Sequence, residues 1–127
     1  MHTRKGHNRR AAIMMGVGIG LLFFVSACAL LNAPPKPSIS IADGNPYGVA
    51  PFTVTFDVSG SSDRDGEIVS FTFDFGDGTD PVEGTDLSQP IEHTYTTAGS
   101  YLAKLTVVDN NGKSGSIMLA IIVSPAQ

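Results

Sequence analysis

A two-sheet antiparallel β-sandwich of about seven strands, preceded by a signal peptide, is the fold class this sequence predicts. Three observations carry it. After Ser38, apolar residues recur at every second position in short runs, the spacing of strands with one face in a core. Clusters of Gly, Asp, Asn and Ser divide those runs at the roughly 8 to 12-residue interval of a sandwich. No run in the same region has the period of a helix.

The chain opens with "MHTRKGHNRR", which holds four of the eight Lys and Arg in the 127 residues. A 17-residue stretch without charge follows, "AAIMMGVGIGLLFFVSA", ending in small residues before Cys28. A basic head, an apolar middle and a small-residue end are the layout of a signal peptide over residues 1–27. The end, "VSAC", resembles the bacterial lipobox, which implies cleavage before Cys28 and its lipidation. An uncleaved anchor is the alternative, since 17 apolar residues lie at the lower limit for a span. Either way the basic flank stays inside and the body is held at the cell membrane or outer membrane, on the extracytoplasmic side. Cys28 is the only cysteine, so no internal disulfide exists. Residues 28–36 then read as a tether, with Pro34 and Pro35 favouring an extended polyproline form.

Five runs follow in order. "PSISIA" is short. "FTVTFDVSG" sets Phe52, Val54, Phe56 and Val58 on one face, and "EIVSFTFDF" does the same for Val69, Phe71, Phe73 and Phe75. "YLAKLTVVD" gives Tyr101, Ala103, Leu105 and Val107. "SIMLAIIV" turns Ile117, Leu119, Ile121 and Val123 inward, which leaves Met118 and Ile122 facing out as candidate partner-binding residues. Their other expected use is as a surface covered by the chain's own loops. Four inward side chains per strand give a modest core.

The stretch "FTFDFGDGTD" has a structural account at every position. Phe71, Phe73 and Phe75 are core, Gly76 and Gly78 let the chain reverse, and Asp74 and Asp77 accept hydrogen bonds from the turn's own amides. "SSDRDGEIVSFTFDFGDGTD" followed by "IEHTYTTAGSYLAKLTVVDNNG" resembles the PKD domain, an immunoglobulin-like module. The motif positions are Phe73, Asp74, Gly76, Asp77 and Gly78, the His-x-Tyr step of His93 and Tyr95, and the strand start of Gly99 and Tyr101. The resemblance covers residues 37–124 and leaves 125–127 as a tail. Two positions depart from the family: Phe73 stands where Trp is usual, and Ala98 where Pro is usual. Phe73 fills most of a Trp's space and has no indole N–H to satisfy.

Some members of that family, in secreted bacterial collagenases, hold calcium near the equivalent of "DRDG". The resemblance therefore implies Asp63, Asp65 and Asp109 as calcium ligands. An EF-hand is ruled out: with Asp63 and Asp65 as third and fifth ligands, Thr72 stands where the terminal Glu belongs. An Asp-Gly turn that holds no ion is the alternative reading. Catalysis finds little material. His93 is the only histidine after the signal segment, no nucleophile-elbow motif occurs, and zinc would lack ligands. Glu67, Glu83 and Glu92 could supply a carboxylate pair, but a small filled sandwich offers no evident cleft to raise one pKa.

Charge narrows the partners. Residues 28–127 hold four cations against twelve acids, a net of −8, which repels nucleic acid. The expectation is a non-catalytic, surface-displayed lipoprotein that binds an envelope protein or polysaccharide. The longest irregular loop, Asp80 to Pro90, is one candidate surface. The alternative is an accessory subunit of an envelope complex, docking through its last strand.

Overall fold

The computed structural model describes residues 32–127. Cys28 and the signal segment lie outside the described residues. Eight strands form: β1 (Ser40–Ile41), β2 (Tyr47–Val49), β3 (Phe52–Asp57), β4 (Ile68–Asp74), β5 (Val82–Gly84), β6 (Ile91–Tyr95), β7 (Gly99–Asp109) and β8 (Ser114–Ser124). They make two sheets, one ordered β1-β3-β6 and the other β2-β8-β7-β4-β5. All pairs are antiparallel except β2 with β8. This is the all-β sandwich the alternation predicts, and no helix interrupts it among the described residues.

The inward faces interlock as the pattern requires. Phe56, Phe73, Tyr95, Leu105 and Ile121 are fully buried, with Val54, Val58, Phe71, Phe75 and Val107 around them. Phe73 lies between Phe56 and Phe75, with ring centroids 4.7 and 5.3 Å away. The centre of the core is therefore aromatic, built from β3 and β4 across the two sheets. Burial of such rings supplies most of the stability of so small a domain.

Three details depart from simple alternation. Val69 is 44% exposed, because the β4–β7 register shifts between Ile68 and Ser70 and the bulge turns Val69 out of the core series. Ile117 keeps the inward parity of β8 yet is 39% exposed, since β2 pairs only with Ile122, Val123 and Ser124 and leaves this part of β8 as an open edge. The strands β2 and β5, three residues each, arise inside segments that read as loops. Too short to show a period of two, they pair as edges of the larger sheet.

The proline-rich segment also differs from a free tether. The compact body begins at Ala33 rather than at residue 37. Lys36 N–H donates to Ser62 O (2.7 Å) and Ser62 N–H returns a bond to Lys36 O (2.9 Å). Ser38 N–H donates to Ser61 Oγ (2.9 Å) and Ala33 N–H to Asp65 Oδ2 (2.6 Å). Pro35 is buried. Gly115 makes this approach feasible, because a Cβ there would overlap the Pro35 carbonyl oxygen. Polyproline geometry leaves these backbone groups open to outside partners, and the 61–65 loop provides them.

Candidate functional site

Two ends of the sandwich and one face hold the candidate residues. At one end β4 finishes in the glycine turn. Gly76 takes φ +80° and Gly78 φ +85°, and a Cβ on Gly76 would collide with the Leu102 carbonyl. Asp74 Oδ1 accepts from Gly76 N–H (2.9 Å), and Asp77 Oδ1 from Thr79 N–H (3.2 Å) and Thr79 Oγ1 (2.6 Å). The other Asp77 oxygen meets His93 Nε2 at 2.7 Å. Burial opposes charge on Asp77, but the bonds from Thr79 and His93 outweigh it and hold its carboxyl below the usual range.

His93 stacks on Phe75 at 3.8 Å and meets the Tyr95 ring edge-on. Buried Tyr95 donates its hydroxyl to Phe75 O (2.9 Å), and burial pushes its phenol pKa up. Tyr101 stacks on Tyr95 and donates to Thr97 O, with Gly99 directly against its ring. Each motif side chain here is spent on a neighbour. The end closes a corner between the sheets and presents no group aimed at a reactant.

The opposite end gathers the acids. Asp109 closes β7 and is 1% exposed. Its Oδ1 accepts from Asn111 N–H (2.9 Å) and Lys113 N–H (2.8 Å), which shapes the turn into β8. Its Oδ2 has no hydrogen-bond partner, and neither oxygen of Asp63 has one, though all three atoms are shielded from solvent. Burial pushes the Asp63 carboxyl up, and the charge of Asp109 adds to the shift. Asp65 moves the other way, held down chiefly by the Ala33 amide.

The loop carrying Asp63 and Asp65 is pinned to the turn after β7. Asn110 N–H donates to Glu67 O (3.0 Å) and Glu67 N–H to Asn110 Oδ1 (3.1 Å). Gly66 is needed there, since a Cβ would strike Asn110 Oδ1. Three orphaned carboxylate oxygens on two acids fit a hard cation that favours oxygen ligands. The cage is incomplete: no three acidic, His or Cys side chains among the described residues converge at metal-binding spacing. Asp63 lies within reach of the charges of both Asp109 and Asp65, and Asp65 also accepts the amide of the incoming chain at Ala33. A calcium ion held here would draw on the three unsatisfied oxygens of Asp63 and Asp109, with Asp65 next to them.

The third place is the outer face of the larger sheet. Residues opposite each other in register share that face: Tyr47 with Ile122 and Ser100, Leu102 with Ala120, and Met118 with Lys104. Tyr47 is 64%, Leu102 57%, Met118 55% and Ile122 37% exposed. The outward parity of Met118 and Ile122 thus extends into a patch across β2, β8 and β7. The period of β7 was enough to find Leu102 from the sequence. Tyr47 was hidden in "DGNPYG", which reads as a turn. The stretch from Asp80 to Pro90 is shaped by β5 and by Asp86, which accepts from Ser88 N–H (3.0 Å).

Sandwich topology, an aromatic corner tied by His and Tyr, and a glycine turn capped by its own aspartates define an immunoglobulin-like β-sandwich module. The family model described as PKD domain matches residues 33–123, and the chain belongs to that family. It is similar to collagenase ColQ1 of Bacillus cereus, at 36% identity over 88 residues, which are 68% of this chain and 8% of that protein. The crystal structure of the PKD1 domain from the Vibrio cholerae metalloprotease PrtV shares 33% identity at a TM-score of 0.57, over 72% of this chain and 99% of that one. A structure solved for the promiscuous specificity of carbohydrate-binding modules from the β-sandwich superfamily shares 36% identity at a TM-score of 0.64, over 76% of this chain and 36% of that one. The chain spans less than a tenth of the length of the ColQ1 relative.

Proposed function

We propose that this chain is a non-catalytic binding module displayed on the outside of the cell, anchored by lipid on Cys28, and that a protein of the envelope docks on the outer face of its larger sheet. The observation that carries the reading is the patch of Tyr47, Leu102, Met118 and Ile122, contiguous over three strands and open to solvent. Contiguous apolar surface of this kind marks interaction sites more often than scattered exposed residues do. Its chemistry favours a protein, because the patch is mainly aliphatic, with Tyr47 as its one aromatic ring. Calcium on Asp63 and Asp109, with Asp65, serves this reading as a structural ion that fixes the opposite end.

The test places a photo-crosslinker at position 118, and in a control at Glu92 on the smaller sheet, in the full chain in its own envelope. One protein captured from 118 and not from 92, and lost in Leu102→Glu, is the expected result. Equal capture from both positions would end the reading. Lipidation is checked separately: Cys28→Ala should abolish lipid labelling and release the chain from membranes. Retention of both by the variant would exclude the lipid anchor.

A second reading, recognition of carbohydrate, draws on the 36% identity to the chain solved in the study of carbohydrate-binding modules. It predicts that polar changes at Met118 and Ile122 leave binding intact while changes within Asp80 to Pro90 remove it.

A further inference from the structure

A groove of about 640 Å³ runs between the docked proline segment and the start of β8. Its lining is unlike the rest of the surface. Of the four Lys and Arg beyond residue 31, two, Lys36 and Arg64, border this one groove. Neither is held in an ion pair among the described residues. Asp65, the acid next to Arg64 in the chain, feels the Arg64 charge but gives its Oδ2 to the Ala33 amide. Ser62, Ser114 and Ser116 add residues with hydroxyl groups, and the prolines at 34, 35 and 37 form one wall.

We infer that this groove is a second binding site, for an acidic saccharide. A carboxylate between Lys36 and Arg64 gains charge-assisted hydrogen bonds, stronger than those to a neutral group. Serine hydroxyls both donate and accept, which suits sugar hydroxyls that do the same. The exposed Pro34 and half-buried Pro37 offer rigid apolar surface to the C–H face of a pyranose. The net charge of −8 on the body opposes a closely charged polymer, so the fitting ligand carries its carboxylates far apart. The inference rests on the reading of this chain as a binding module, and it names a ligand class for a surface apart from the apolar face.

Residues 32–127 suit the test, because they hold the whole described core and a related PKD domain has been solved as an isolated domain. The probe is a hyaluronan hexasaccharide, with one carboxylate per two sugars, against neutral chitohexaose. Calorimetry should find the hyaluronan fragment bound at least about tenfold more tightly. NMR should place its shifts at Ser62, Gly115 and Ser116. Joint Lys36→Gln and Arg64→Gln replacement should weaken binding about tenfold at an unchanged Tm. Equal binding of the neutral sugar, or no effect of the double variant, would overturn the inference. Absence of hyaluronan binding while the crosslink at 118 persists would remove the groove site and leave the protein-docking reading standing. Groove binding without that crosslink would do the reverse.

Discussion

Phe73→Ala should cost about 3–5 kcal/mol of folding stability, the range for removing a large buried ring. The ring is 0% exposed, with Phe56 and Phe75 against it and β3 across from it, so the structure has little slack to close the space. In a domain of this size each kcal/mol shifts Tm by roughly 4–8 °C, so a fall of more than about 12 °C is expected. Phe73→Leu keeps much of the volume and should cost less. Thermal or urea unfolding of residues 32–127 measures both. A loss under about 1 kcal/mol for the alanine variant would show that the ring is not the centre of the core.

Calcium should raise the Tm of the same fragment, and Asp63→Asn should remove the rise. An ion at a hundred times its Kd stabilises the folded state by about 2.7 kcal/mol, on the order of 10–20 °C for such a domain. The variant should also melt higher than the native chain when calcium is absent. The reason is the direction of the Asp63 shift. Burial first, then the neighbouring carboxylates of Asp65 and Asp109, raise its folded pKa above the unfolded value. Its contribution is therefore fully favourable only below the unfolded pKa, and stability is lost as pH rises through the folded one. A bound cation reverses the sign by favouring the charged form. Asp65, whose pKa is lowered, pulls the other way and limits the net effect. A native chain whose Tm ignores calcium would exclude the ion.

Period-two burial was readable in the longer strands but not in β6, whose Ile91, His93 and Tyr95 alternate over only five residues, so that His93 and Tyr95 read as a motif instead. β3, β4, β7 and β8 came from alternation alone, with Val69 missed because a bulge breaks parity without leaving a mark in composition. Strands of two or three residues have no period to read, so β2 and β5 emerged only through their partners. The acids were readable as a cluster by family likeness. That Asp63 and Asp109 share orphaned oxygens while Asp65 binds the Ala33 amide depends on long-range pairing, and spacing does not encode it. The docked proline segment was missed for a related reason. Polyproline composition describes a chain's stiffness and says nothing of which surface it meets.

The two edges of the larger sheet have a consequence for crowded surroundings. Both are three-residue strands next to prolines: β2 lies between Pro46 and Pro51, and β5 follows Pro81. Proline offers no amide hydrogen, and so short a strand gives an invading segment little to zip against. Copies of this domain packed densely side by side on one surface are thereby kept from fusing through the edges of this sheet, which leaves the five-residue β6 of the smaller sheet as the longer open edge.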